Sequence, residues 1–379
     1  MDERLHKAIQ NGNLGDVQKL LESGANINYL FGMKGTPLCA SIYENKEDIF
    51  AYLLSNKCDI NAKDYDGEPP LCLAIRTEKY HLVERLLQHS ACDVNKADPV
   101  TGRRPIHVAI INGHFDTVKR LVKRGCQINS TDRDGSTPIN TALTHNRKEI
   151  IQYLIEENCS LDMMNSLGEL PLHVALKNDI EATRFVLEKM KLESEKGERD
   201  NDYLNIYTPV FPDTPLIRAV GIENIEAACE LIKRGCDVNA RNANEQTALY
   251  VACKTNNQDI ACILLEAGAN PNAYSEEKKN FHVASKITVQ IPMKEAITLG
   301  NLYMVKKLVE YGADLTVQFS DGITPLSFAL LRNKAQIADY IMDEISRNQP
   351  LLAHSKSHLH NNSLLHVASC MNPAYFAKR

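Results

Sequence analysis

The tetrapeptide Thr36-Pro37-Leu38-Cys39 returns along the chain in recognisable variants, with its proline position at Pro37, Pro70, Pro105, Pro138, Pro171, Pro215, Ala248, Pro292 and Pro325. The intervals are 33, 35, 33, 33, 44, 33, 44 and 33 residues. A segment of about 33 residues that recurs with fixed punctuation is one supersecondary unit, too small to bury its own apolar face. Stability must come from stacking on neighbours, so the period predicts a solenoid.

The copy from Asp132 to Asn165 shows what each unit folds into. Asp132-Arg133-Asp134-Gly135 is turn chemistry, with Gly135 able to take a positive φ. Thr137 is placed to cap a helix that Pro138 opens as its first residue. That helix carries Ile139, Ala142 and Leu143 on one face and ends near Asn146. A second helix over 148–157 sets Ile150, Ile151, Leu154 and Ile155 in a helical stripe. Two short antiparallel helices and a turn make the unit.

Signatures of the form T-P-L-H-x-A, N-G-H and L-L-x-x-G-A-D-V-N-A stand in Arg104-Pro105-Ile106-His107-Val108-Ala109, in Asn112-Gly113-His114 and in Leu264-Leu265-Glu266-Ala267-Gly268-Ala269-Asn270-Pro271-Asn272-Ala273. In these the chain resembles the ankyrin repeat over about its whole length. The resemblance implies an all-α ankyrin-repeat solenoid of about ten repeats, each a helix-turn-helix with a hairpin turn. Repeats begin near residues 1, 32, 65, 100, 133, 166, 208, 243, 277 and 320, and a partial eleventh begins near 361. Asn362 to Ser369 match the start of a first helix, but Arg379 follows too soon for a complete second one, which predicts that the array continues further. At the other end, Asp2, Glu3, Arg4, Lys7, Gln10 and Asn11 around Leu5, Ala8 and Ile9 have the polar composition of an N-terminal cap. Quasi-one-dimensional stacking makes residues 1–379 a single elongated domain.

Both 44-residue intervals mark insertions, at 191–207 and 274–291. Lys191 to Asp202 is too charged to pack, and Phe281-His282-Val283-Ala284 partly imitates a repeat start. Both are expected to form exposed loops on the hairpin side.

A net charge of -5 and 6% aromatic residues argue against general nucleic-acid binding. Lys119, Arg120, Lys123 and Arg124 form a local basic patch, read as a solvated helix face. The eleven cysteines are odd in number and follow the repeat: Cys58, Cys92, Cys126, Cys159 and Cys236 hold the family's alanine position, and Cys39 and Cys72 its histidine position. They read as core thiols in a reducing compartment. With no apolar leader and no stretch of membrane-spanning length, the expected location is cytoplasmic, with the nucleus as alternative.

No phosphate loop, zinc-protease motif, dinucleotide fingerprint or nucleophile elbow is present, so no enzyme, cofactor or metal is expected. His107, His173 and His366 hold the family's helix-start position and read as structural. His354, His358 and His360 cluster without a cysteine or carboxylate partner, and a metal there is disfavoured.

The expected function is recognition of a protein or peptide on the concave face made by hairpins and first helices. Transferring the family's contact positions points to the turn residues Tyr65, Asp66, Glu68, Thr101, Arg103, Arg133, Asp134 and Ser136. It points next to helix ends, at Tyr43, Glu44, Arg76, Ile111, Asn112, His145, Lys177, Asn178 and Lys254. Tyr43 and Ile111 stand out as hot-spot candidates, being aromatic or apolar where solvent favours charge. The alternative is a regulatory or targeting arm of a larger protein, whether enzyme, ubiquitin-ligase adaptor or channel. Asn61 and Asn239 match the family position hydroxylated by an asparaginyl hydroxylase and are candidates for that modification.

Overall fold

The computed structural model describes residues 1–32, 35–197, 201–208, 210, 212–276, 289–319 and 323–348. The partial eleventh repeat, the His354, His358 and His360 cluster, His366 and residues 277–288 of the second insertion lie outside them.

Among the described residues twenty helices form ten pairs, so the all-α, repeat-built architecture is borne out. They fall in two compact units, Met1–Leu192 and Glu193–Arg379. The first unit begins with Asp2–Asn11 and Leu14–Glu22, then Pro37–Tyr43 and Glu47–Ser55, Pro70–Arg76 and Tyr80–Gln88. It continues with Pro105–Asn112 and Phe115–Lys123, Pro138–Thr144 and Lys148–Glu156, and Pro171–Ala175 with Ile180–Glu195. The second unit holds Pro215–Gly221 and Ile225–Lys233, Ala248–Lys254 and Gln258–Glu266, Pro292–Leu299 and Leu302–Glu310, and Pro325–Leu331 with Ala335–Asn348.

The two helices of a pair differ in burial because they occupy different layers. In Pro37–Tyr43 every residue from Pro37 to Ile42 is buried, since neighbouring first helices flank it and the second helix covers it. Glu47–Ser55 buries only Ile49, Phe50 and Leu53, a single stripe facing inward. Each such side chain taken from water contributes about 1.5–3 kcal/mol, so stacking supplies what an isolated pair lacks.

Helix starts are held in two ways. Thr36, Thr137, Thr214, Thr247 and Thr324 accept the amide three residues on at 3.3–3.5 Å. Where Arg104 or Leu170 replaces the threonine, His107 or His173 reaches back, its Nδ1 accepting the Arg104 or Leu170 amide at 3.2 Å. Because Nδ1 accepts, Nε2 of His107 carries the proton and donates to the Ser136 carbonyl at 3.2 Å in the next repeat.

The D-V-N asparagines tie the repeats that carry them to the repeats that follow. Oδ1 of Asn28, Asn61, Asn95 and Asn129 accepts the amides of Asp59, Asp93, Gln127 and Ser160 at 2.7–2.8 Å in the first unit. In the second unit Asn205, Asn239 and Asn272 accept from Asp237, Asn270 and Asp314 at 2.7–3.0 Å.

Asn205 shows that the chain returns to register before residue 207, with Tyr203-Leu204-Asn205 taking the place of D-V-N. The charged segment before it was expected as a loop, but helix Ile180–Glu195 continues five residues into it, anchored by buried Met190. The second insertion leaves and returns as an antiparallel pair, Ser275 opposite Gln290 and Glu276 opposite Val289. This pairing leaves the Asn272 bond and the Pro292 helix start undisturbed.

Candidate interaction surface

The hairpins of the third to sixth repeats are locked by an acidic or amide side chain at the first limb. Asp64, Asp132 and Asn165 accept the amides of Glu68, Ser136 and Glu169 through Oδ1 at 2.7–2.9 Å. In the fourth hairpin Asp98 accepts from the Val100 amide at 2.9 Å and from the Thr101 hydroxyl at 2.5 Å.

The fourth, fifth and sixth hairpins then join backbone to backbone. The Arg133 amide donates to the Thr101 carbonyl at 3.0 Å and the Ser166 amide to the Asp134 carbonyl at 2.8 Å. Gly102, at φ +69°, lets these limbs approach, since a Cβ there would lie 2.7 Å from the Arg133 nitrogen. The hairpins of the fourth to sixth repeats thus present side chains from a bonded scaffold.

The expected contact residues divide into those that face solvent and those that the repeats use among themselves. Tyr65, Asp66, Arg133 and Asp134 are exposed at hairpin tips, and His145, Lys177 and Arg76 are exposed at helix ends. Lys254 is exposed as well, but it belongs to the second unit. Glu44, Thr101, Arg103 and Ser136 are half-buried.

Glu68 is buried and accepts two bonds from Arg76, Nε at 3.0 Å and Nη2 at 2.7 Å. Burial raises the Glu68 carboxyl above its ordinary range against the pull of the Arg76 guanidinium, which the same pairing holds firmly protonated. Tyr43 joins this cluster, donating to Asp64 at 3.2 Å, and its phenol is pushed up to about 12 by burial and the Asp64 charge. Arg103 lies 3.9 Å from the Asp132 carboxylate, and Arg133 donates to the Pro99 carbonyl at 2.5 Å.

Asn112 and Asn178 point back into the array. Their amides donate at 2.7 Å to the Ile75 and Leu143 carbonyls, at the open ends of the preceding first helices. The half-buried Ile111 offers its own carbonyl to Arg147 at 2.6 Å. Asn61 and Asn239 are engaged on both sides, donating to the Ala91 and Gly268 carbonyls at 2.8 and 3.2 Å while accepting from the next repeat.

Two tip residues escaped the sequence reading. Val100 and Leu167 are 58% and 64% exposed, beside Tyr65 at 61%. Their signal was an apolar residue inside a turn, Pro99-Val100-Thr101-Gly102 and Ser166-Leu167-Gly168, where Asp64-Tyr65-Asp66-Gly67 and Asp132-Arg133-Asp134-Gly135 carry polar ones. Between the fifth and sixth hairpins, a cleft of about 410 Å³ runs past Leu167 to Val174, with Asp134, Glu169 and Lys177 around it.

The basic patch on Phe115–Lys123 is largely internal in its bonding. Arg120 pairs with Glu84 at 2.8 Å, Lys119 with Asp116 at 3.0 Å, and Arg124 donates to the Leu87 carbonyl of the preceding repeat. Thiols at the repeat positions are shielded: burial pushes Cys39 and Cys58 up to about 12 and Cys92, Cys126 and Cys236 up to about 11. Among the described residues, no cluster of three or more metal-ligating side chains occurs, and no helix is long and apolar enough to cross a membrane.

A family model described as ankyrin repeats in three copies matches residues 5–98, 38–132, 106–200 and 195–275. The E3 ubiquitin-protein ligase KEG of Arabidopsis thaliana is 26% identical over 329 residues, covering 84% of this chain and 19% of the ligase. The neurogenic locus notch homolog protein 1 of Xenopus laevis is 33% identical over 131 residues, 34% of this chain and 5% of that protein. A putative ankyrin repeat protein of Rickettsia felis is 29% identical over 129 residues, 34% of this chain and 42% of its own length. The chain thus spans less than half the length of each of these relatives. The crystal structure of the ankyrin repeat domain of Bcl-3 superposes with a TM-score of 0.52 at 24% identity, over 64% of this chain and 99% of that one, and shares the fold. On the family model, the recurring signatures and the helix pairs, this chain belongs to the ankyrin-repeat family.

Proposed function

We propose that the chain is a non-enzymatic recognition scaffold whose first unit binds a protein or peptide partner on its hairpin and first-helix face. One observation carries this reading: Tyr65, Val100, Arg133 and Leu167 are exposed at hairpin tips, and the fourth to sixth of these hairpins bond to one another through their backbones. Side chains held on a pre-ordered backbone lose little entropy on binding, so such a surface is suited to recognition.

Photo-crosslinking tests it. A photoreactive amino acid placed at Tyr65, Arg133 or Leu167 in the native cell is expected to trap a common partner. The same probe at Lys123 or Glu149, exposed on second helices, is expected to trap none. Crosslinks from the second-helix positions alone would overturn the proposal.

A second reading is favoured by the Arabidopsis ligase, which matches 84% of this chain and is several times longer. In it the repeats are the targeting arm of a larger protein. Mass spectrometry of the endogenous protein tests this: a native mass matching 379 residues counts against it.

A further inference from the structure

We propose that the outer face of the first helix pair binds an acidic peptide segment, with its carboxylates held by Arg4, Lys7 and Lys19 and an aliphatic side chain seated on Ala8 and Leu20. This site lies apart from the hairpin surface and goes beyond the recognition reading above, which stands or falls without it.

A cleft of about 380 Å³ opens between helices Asp2–Asn11 and Leu14–Glu22. Arg4, Lys7, Ala8 and Asn11 line it from the first helix at i, i+3, i+4 and i+7, and Asp16, Lys19 and Leu20 from the second at i, i+3 and i+4. One stripe of each helix therefore faces it. Arg4, Lys7 and Lys19 are exposed, and none has a carboxylate partner among the described residues. The carboxylates on the same helices are drawn elsewhere: Asp16 accepts from the Asn13 side-chain amide at 2.7 Å, and Asp2 from the Asn26 backbone amide at 3.1 Å. Three cations and one engaged carboxylate thus line the cleft, in a chain whose net charge is -5. A cleft dominated by one sign of charge focuses its field on the opposite ion.

Register shows what chemistry these positions handle. Asn11-Gly12-Asn13 aligns with Asn112-Gly113-His114, and Gly12 and Gly113 end their helices at the same φ of 72°. In the fourth repeat the corresponding residues serve the preceding repeat: the Asn112 amide donates to the Ile75 carbonyl at 2.7 Å, and Arg120 pairs with the Glu84 carboxylate at 2.8 Å. Pro105, Val108, Ala109 and Leu121 are buried beside them. The first repeat keeps a donor at both places, Asn11 and Lys19, and keeps the apolar Ala8 and Leu20 where Ala109 and Leu121 stand. It sets Arg4 and Lys7 where Pro105 and Val108 are buried. The face therefore holds the means by which the array binds a carbonyl and a carboxylate, with two further cations added.

A polar outer face keeps a repeat array soluble with charge of either sign, so solubility does not account for three cations converging on one apolar floor. Leu20 is half-buried beside buried Ala8, and an aliphatic side chain laid on them takes further apolar surface from water. The planar fork of Arg4 is suited to a carboxylate. A peptide segment supplies all three complements, carboxylate, backbone carbonyl and aliphatic side chain, where a phosphate group supplies charge alone.

Fluorescence anisotropy with the full chain tests the proposal. The probe is a labelled, end-capped octapeptide with leucine at its third and sixth positions and glutamate elsewhere. One counterpart carries glutamine for every glutamate, and another serine for both leucines. At low salt the glutamate peptide is expected to bind about tenfold tighter than the glutamine peptide, the sum of a few exposed charge contacts, and to lose that advantage as salt is raised. The serine peptide is expected to bind more weakly than the leucine one. The combined Arg4→Gln, Lys7→Gln and Lys19→Gln variant is expected to remove the advantage of glutamate. Lys123→Gln, Lys233→Gln and Lys254→Gln together, an equal loss of charge at exposed sites elsewhere, are expected to preserve it. Reversal to glutamate at Arg4, Lys7 and Lys19 is expected to abolish binding of the glutamate peptide and to create binding of its lysine counterpart, which also shows that the variant is folded. Equal binding of the glutamate and glutamine peptides, or an advantage that survives neutralisation of the three cations or falls as far with the control set, overturns the proposal. If inorganic phosphate or vesicles containing phosphatidylserine bind through the same three cations more tightly than the glutamate peptide does, the peptide occupant is rejected.

Discussion

The side-chain oxygen of Asn61 accepts the backbone amide of Asp93 at 2.8 Å, while its amide group donates to the Ala91 carbonyl at 2.8 Å. One asparagine thus holds two backbone groups of the following repeat. Asn239 repeats the arrangement in the second unit.

Replacing Asn61 with alanine removes both bonds and leaves the Asp93 amide and Ala91 carbonyl to water. The expected cost is about 1–3 kcal/mol, read as a lower urea midpoint. A midpoint unchanged within error would show that these bonds do not couple the repeats. A hydroxylase acting on Asn61 or Asn239 has to break the same bonds to reach the side chain. Added oxygen at either residue, in protein from its native cell, should therefore increase when the following repeat is destabilised, as peptide mass spectrometry would report.

Leu154 is fully buried in helix Lys148–Glu156. Leu154→Ala should cost about 2–5 kcal/mol by lost transfer energy and cavity formation. Equilibrium denaturation checks this, and a smaller loss would mean that the neighbouring repeats collapse into the space.

Asn140 stands where His107 and His173 stand in their repeats, and its side-chain nitrogen and oxygen are buried without a hydrogen-bond partner. A buried amide without partners costs about 1–3 kcal/mol. Asn140→His, placed to bond the next hairpin as His107 bonds Ser136, should raise the thermal midpoint. A lowered midpoint would show that the site cannot house the ring.

His107 supplies a pH dependence. Burial pushes its imidazole below the usual histidine range, with the nearby Asp132 charge opposing. The folded state therefore favours the neutral ring, and the unfolded chain binds the extra proton first. Its contribution is fully present above the unfolded pKa of about 6.5 and is lost as pH falls from there through the lower folded value. Stability measured from pH 7 to 5 should fall more steeply for the parent than for His107→Gln; equal slopes would remove His107 from the account.

The repeat architecture was legible because it is written as period and punctuation: prolines at fixed steps, Thr137 as a cap, the Leu154 stripe. The Asn205 register was missed because Tyr203-Leu204-Asn205 follows a charged run, and helix Ile180–Glu195 absorbs part of the excess length that the sequence assigned to a loop. The surface was less legible for a physical reason. Glu68, Asn112 and Asn178 are polar residues at exposed-looking positions, yet their partners are backbone or side-chain groups elsewhere in the repeat or one repeat away. Those distances appear only after stacking. Val100 and Leu167 were overlooked in the opposite sense, as apolar residues that a turn leaves in solvent.

Hydrogen–deuterium exchange of the full chain, with and without the partner trapped by crosslinking, tests the recognition surface most directly. The account predicts that the partner slows exchange in the hairpin segments 64–68, 98–103, 132–136 and 165–169, and leaves the second helices Tyr80–Gln88, Phe115–Lys123 and Lys148–Glu156 unchanged. Protection confined to those second helices, with the hairpins exchanging as in the free chain, would contradict it.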